Sequence, residues 1–140
     1  MAKTINAKNR ELTCPNGMPQ PHYTGVPDQI LDNLNAFTGP ELAVLLYVAR
    51  HSIGYKKQKD RISLTQMVEG IVQKDGHRVD WGTGYSRGAV SQAVKSLEKR
   101  QWLVVTRREW QSPREDRKPQ RATSEYHLHL TSEGVVQETY

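Results

Sequence analysis

Between Thr83 and Arg100 lies a stretch with few choices of conformation. Val90, Ala93, Val94 and Leu97 recur at helical spacing, so one stripe of this segment must be buried while the rest faces water. Ser86 stands just ahead of them, and its hydroxyl suits an N-cap, accepting from the free backbone N–H groups of the first turn. The opposite face carries Gly88, Ser91, Gln92, Lys95 and Lys99, with no acid among them. Small residues, then an amide, then cations are what a helix needs to enter the major groove, read base edges and hold phosphates. An ordinary solvated helix shows the same residue types, so the flanking segments decide between the two readings.

The charge distribution favours an anionic partner. The 140 residues carry a formal net charge of +5. Residues 86–121 hold ten Lys/Arg against four acids, a net +6, so the basic charge belongs to this helix and the segment after it. Cys14 is the only cysteine, which rules out an intrachain disulfide and fits a reducing compartment. The N-terminus is polar, with no apolar signal core, and no run approaches the roughly 18–20 apolar residues of a membrane span. A cytoplasmic protein without membrane contact is expected.

Residues 1–25 are polar and broken by Pro15, Pro19 and Pro21, an extended arm ordered only where Tyr23 reaches the domain. Val26-Pro27-Asp28 opens a short helix through about Ala36, with Ile30, Leu31 and Leu34 on its apolar side. Thr38-Gly39-Pro40-Glu41 has the spacing of a capping box around a proline in the first turn. The apolar run Leu42 to Ala49 then predicts the central core helix, ending near Ile53 with Gly54 as a left-handed cap. Tyr55 to Arg61 is a basic loop, Ile62-Ser63-Leu64 one small strand, and Thr65 the cap of a two-turn helix carrying Met67, Val68 and Ile71. Residues 73–84 form a long connection into which Val79 and Trp81 tuck inward.

After the helix, Trp102 to Thr106 has strand composition, with Trp102 as an apolar plug beneath it. Residues 107–123 are polar and basic, and Ser124 to Leu130 alternates Tyr126, Leu128 and Leu130 with His127 and His129. Trp110, inside the basic loop, folds back on the sheet in preference to stacking on a base. Two strands joined by a long basic loop directly after a recognition-type helix describe a wing. The expected fold is mainly α with a small β wing, a winged helix-turn-helix. It spans residues 26–131, preceded by the arm (1–25) and followed by a tail (132–140).

Several short segments, taken in order, resemble phage replication protein O in its N-terminal origin-binding domain. They are Val26-Pro27-Asp28-Gln29-Ile30-Leu31, Gly39-Pro40-Glu41-Leu42, Gly54-Tyr55-Lys56-Lys57, Asp60-Arg61-Ile62-Ser63-Leu64 and Gly84-Tyr85-Ser86-Arg87. The resemblance covers roughly residues 22–108. It implies a winged-helix domain that binds repeated sites at a phage or plasmid origin and helps recruit the host replicative helicase or its loader through a region beyond this chain. The 73–84 connection and the long basic wing loop depart from that pattern. The chain also ends where such initiators continue, which fits either a fragment of one or a free-standing regulator.

The expected partner is therefore double-stranded DNA, with a homodimer on DNA admitted. The expected DNA contacts are Arg87, Ser91, Gln92 and Lys95 in the groove, with Ser86 and Gly88 also among the DNA-binding residues. Lys99, Arg107, Arg108, Arg114, Arg117, Lys118 and Arg121 would serve phosphates or the minor groove. A transcriptional regulator of the same fold needs the same helix in the same groove. A protein-interaction module would need an apolar or acidic patch interrupting the basic face, and none is evident. No catalysis, metal or cofactor is expected. His127 and His129 lack a cysteine or acid at ligand spacing, Asp75, His77 and Asp80 read as turn and solubility residues around a glycine, Cys14 reads as an inert thiol, and Gly82-Thr83-Gly84 lacks the lysine of a phosphate loop.

Overall fold

The computed structural model describes residues 10–18, 23–55, 60–107, 109–110, 120–121 and 124–131, with the backbone alone at 109–110 and 120–121. Among the described residues, four α-helices accompany small antiparallel sheets: α1 (Asp28–Leu31), α2 (Gly39–His51), α3 (Leu64–Glu69) and α4 (Arg87–Lys99). The strands are β1 (Asp60–Arg61), β2 (Ile71–Val72), β3 (Arg78–Asp80), β4 (Leu103–Thr106), β5 (Glu109–Trp110), β6 (Gln120–Arg121) and β7 (Glu125–Leu128). Strands β1, β7 and β4 form one sheet in that order; β2 pairs with β3, and β5 with β6. No helix among the described residues is long and apolar enough to cross a membrane.

Helix α2 begins as its sequence requires. The Thr38 hydroxyl accepts from the Glu41 N–H, and the Glu41 carboxylate accepts from the Thr38 N–H at 2.9 Å, a complete capping box with Pro40 in the first turn. Val44, Leu45, Val48 and Ala49 are fully buried, and Val90, Ala93, Val94 and Leu97 of α4 join them in one core with Met67, Leu103, Tyr126 and Leu128. Trp102 packs on the edge of this core, its ring 4.9 Å from that of Phe37 in an edge-on pair, as expected of a plug.

A polar clamp joins α2 to α4 within this apolar contact. Beyond its own cap, the buried Glu41 carboxylate accepts from Ser96 Oγ at 2.9 Å and from Arg100 Nη1 at 2.7 Å. Arg100 also donates to the Ala36 carbonyl at 2.9 Å, tying the end of α4 to the segment before α2. Burial alone would raise the Glu41 pKa. The Thr38 N–H, the Ser96 and Thr38 hydroxyls and the Arg100 guanidinium outweigh it and hold the group below the ordinary glutamate value.

Several boundaries differ from expectation, each for a local reason. The 28–36 helix breaks after Leu31 because Asn33 Nδ2 donates to the Gln29 carbonyl at 2.6 Å, taking the acceptor of the next helical turn; a 3₁₀ turn, Leu34–Ala36, follows. Only Ile30 of its apolar side is buried, with Leu31 and Leu34 exposed. Helix α2 stops at His51, where Ser52 Oγ bonds the Val48 carbonyl at 2.7 Å. Gly54 is not left-handed; it lets the Arg50 carbonyl and Thr24 come close, and a Cβ there would collide with both. Ser63, not Thr65, caps α3, through a second capping box with Gln66, so the preceding strand shifts to Asp60–Arg61. Tyr23 and Leu130 are exposed.

The long connection before α4 is a built hairpin. Gly70 (φ 86°) and Gly82 (φ 70°) cross at its base, where a Cβ on either would overlap the other strand's backbone. Ile71 therefore leaves α3 for β2. Asp80 anchors the returning strand: its carboxylate accepts from Tyr47 Oη (3.1 and 3.2 Å) and from the Gly82 N–H (2.9 Å), and lies 2.9 Å from His51 Nε2. Burial, then the neighbouring Asp80 charge, pushes the Tyr47 hydroxyl well above its usual pKa. The expectation for Val79 and Trp81 is half met. Val79 is exposed, whereas Trp81 is half-buried between the guanidinium groups of Arg10 and Arg78, 3.7 and 4.3 Å from its ring centre. Arg10, not Tyr23, thus brings the N-terminal segment to the domain.

Helix α4 passes into β4 through Gln101, whose φ of 66° is the left-handed cap of a Schellman turn: Trp102 N–H bonds the Leu97 carbonyl and Gln101 N–H the Glu98 carbonyl. A side chain there is strained, so Gln101→Gly should raise stability by about 1 kcal/mol in a urea titration. Removing the clamp acts in the opposite direction. Glu41→Ala leaves Ser96 and the Thr38 N–H unpartnered and Arg100 without its carboxylate, and should cost about 3 kcal/mol, the low end for a broken buried pair because Arg100 is partly exposed and keeps the Ala36 carbonyl. Because the folded pKa of Glu41 is lowered, its contribution is present above the ordinary glutamate pKa and is lost as pH falls through the folded value. Melting curves against pH should show this acid limb in the unsubstituted chain and its reduction in Glu41→Gln.

Candidate nucleic-acid interface

The buried stripe of α4 packs on α2 and α3, which leaves its other face outward. Ser86 caps the helix, its hydroxyl accepting from the Ala89 N–H at 3.2 Å, so that oxygen is occupied by the protein itself. Gly88, Gln92, Lys95 and Lys99 are exposed and Ser91 is half-buried, following one another along the surface in the expected order. No acid lies on this strip. Gln92 is about one turn before Lys95 and two before Lys99, so an amide able to pair with a base edge precedes two ammonium groups.

Not every expected cation is available to a ligand. Arg107 forms a two-bond pair with Glu98, 2.8 and 3.1 Å, and this pairing first, against the opposing effect of burial, raises the arginine pKa further. It is therefore a bracket between β4 and α4 before it is a phosphate ligand. Arg100, counted in the basic segment, is held by Glu41. Arg87 stays exposed and without a carboxylate among the described residues, but turns toward α3, where its Nη2 donates to Thr65 Oγ1 at 2.5 Å. Arg108, Arg114, Arg117 and Lys118 lie outside the described residues, and Arg121 is known only as part of β6.

The strands after α4 form an antiparallel ribbon. Thr106 pairs with Glu125 in β4 and β7, and farther out Glu109 pairs with Arg121 and Trp110 with Gln120. The root of the segment read as a basic loop is thus strand-paired, and the side of the sheet on which Trp110 lies is outside the described contacts.

Candidates for other chemistry are dispersed. His129 lies beyond the end of β7, and its Nδ1 donates to the Gln101 carbonyl at 2.8 Å, while His127 pairs across the sheet with Val104. Asp75 accepts from the His77 N–H at 2.9 Å within the hairpin turn, the role expected of it. Asp80 is not a solubility residue but the anchor of the hairpin. Its signal lay in Tyr47 and His51, one turn apart on α2, yet nothing in their spacing pointed to residue 80. Among the described residues no group of three His, Cys, Asp or Glu side chains is placed to hold a metal ion. Compared with protein-family models, curated proteins and solved structures, the chain finds no match.

The strip makes a division of labour testable. Gln92→Ala should cost about 1–3 kcal/mol on a preferred duplex and little on random DNA. Lys99→Ala, further along the helix, should weaken both equally, as measured by fluorescence anisotropy with both duplexes at one salt concentration.

Proposed function

We propose that this chain binds double-stranded DNA in a sequence-specific manner through a winged helix-turn-helix, as the origin-binding domain of a phage-type replication initiator. The observation that carries the reading is the outward, acid-free face of α4, running from Gly88 through Gln92 to Lys95 and Lys99. The architecture supports it. Helices α2, α3 and α4 share one core, and the sheet order β1-β7-β4 sets a strand-paired ribbon directly after α4, as a winged-helix reading requires. In that arrangement α4 lies in the major groove and the ribbon reaches the neighbouring backbone. The hairpin between α3 and α4 stands where a helix-turn-helix has its tight turn, and Gly70 and Gly82 approach closely at its base. The replication role rests on the resemblance of the short segments around Pro27, Pro40, Tyr55, Arg61 and Tyr85. A helicase or loader partner and a homodimer on DNA belong to that role.

Selecting bound sequences from a random duplex pool at stated salt tests the reading directly: enrichment of one motif is expected. Affinity for that motif should fall steeply with salt, with a log–log slope near −0.9 for each of roughly four to eight phosphate contacts. A flat salt response, or a pool without enrichment, would refute the proposal. A repeat of the selected motif within a replication origin would place the protein in initiation, and a single copy at a promoter would place it in transcription.

A further inference from the structure

We infer that Thr65 and Arg87 together form a seat for a backbone phosphate of DNA, so that Arg87 sets the position of the protein on the duplex and does not read a base. The inference rests on the DNA-binding reading above and alters one part of it, since position alone had assigned Arg87 to the groove.

Arg87 is the first residue of α4 and Thr65 the second of α3. Both are exposed, and the guanidinium Nη2 donates to Thr65 Oγ1 at 2.5 Å. That bond draws the Arg87 side chain across the gap between the helices, toward α3 and away from the strip that holds Ser91 and Gln92. Helical side chains lean toward the N-terminus of their own helix, and from the first residue of α4 that lean carries Arg87 off the helix end. With the hydroxyl oxygen accepting from Arg87, the Thr65 O–H remains a donor, and the guanidinium has further N–H groups to give.

The charge surroundings set Arg87 apart. Arg61, Arg100 and Arg107 are each held by a carboxylate, from Glu125, Glu41 and Glu98, and Arg10, Arg50 and Arg78 each lie over an aromatic ring. Among the described residues no carboxylate pairs with Arg87, and its only hydrogen bond is to a neutral hydroxyl. A pair that offers only donors, carries a positive charge and is already oriented fits a tetrahedral anion. Gly88 adds room beside it, because a Cβ there would meet nothing within 4 Å. When one helix of such a unit enters the groove, the helix before it crosses the sugar-phosphate backbone. Two side chains that bridge those helices therefore stand where a phosphate passes. Phosphate contacts of this kind fix register and carry no sequence information.

The full chain should be compared with Arg87→Ala, Arg87→Lys and Thr65→Val on the selected duplex and on random DNA, across a salt series. Arg87→Ala should lower both affinities by the same factor, roughly ten- to hundredfold, and make the salt slope shallower by about 0.9. Arg87→Lys should keep the slope, and Thr65→Val should lower both affinities by a smaller common factor with the slope unchanged. All three should select the same motif as the unsubstituted chain and melt at nearly its temperature. A changed base preference in Arg87→Ala would overturn the seat while leaving the DNA reading intact. So would a lowered melting temperature with DNA affinity intact, or a melting shift with inorganic phosphate that needs Arg87 while DNA binding does not. Absence of any DNA binding by the unsubstituted chain would remove both.

Discussion

The arrangement of this domain depends on one buried carboxylate. Glu41 completes the cap of α2 and, with its second oxygen, holds Ser96 and Arg100 near the end of α4. The apolar stripes of the two helices could slide along each other at modest cost, since hydrophobic contact is non-directional. A charge in a nearly dry setting cannot move freely, because each lost partner leaves an unmet desolvation cost. Glu41 thus fixes which turn of α4 stands against the start of α2. The outward face of α4 is a consequence of that choice.

A second polar anchor performs the same service for the approach to α4. Asp80 gathers Tyr47, His51 and the Gly82 N–H around one carboxylate, while Gly70 and Gly82 cross where no side chain would fit. A twelve-residue connection that was free to move would blur the geometry of the helices it joins. Here it is pinned to α2 through Asp80, with residues 73–77 and Val79 left in water. Arg10 stacking on Trp81 brings a piece of the N-terminal segment to the same place.

The surface that results is less positive than the residue count suggests. Glu98 and Glu41 hold Arg107 and Arg100, so the described cations that face outward near α4 are Arg87, Lys95 and Lys99. The pairing has a use. Arg107, just past β4, ties the start of the ribbon to α4 by two hydrogen bonds with Glu98.

What could be read from the sequence was everything local. The capping box at Thr38, the cap at Ser86, the buried stripes of α2 and α4 and the strands after α4 follow from hydrogen bonds and periodicities within a few residues. So does the candidate groove-facing strip, since burying Val90, Ala93, Val94 and Leu97 turns Gln92, Lys95 and Lys99 outward. Competition between nearby groups already limited this reading. Ser63 displaced Thr65 as a cap, Asn33 broke the first helix with its own side chain, and Gln101 took a left-handed turn usually given to glycine. Partnerships across the chain were beyond it. Glu41 with Arg100, Tyr47 and His51 with Asp80, Glu98 with Arg107 and Thr65 with Arg87 join residues whose separation carries no pattern. Only the packed helices bring these charges and hydroxyls within reach, and so only the tertiary structure decides which cations are spent inside the protein and which remain for a ligand.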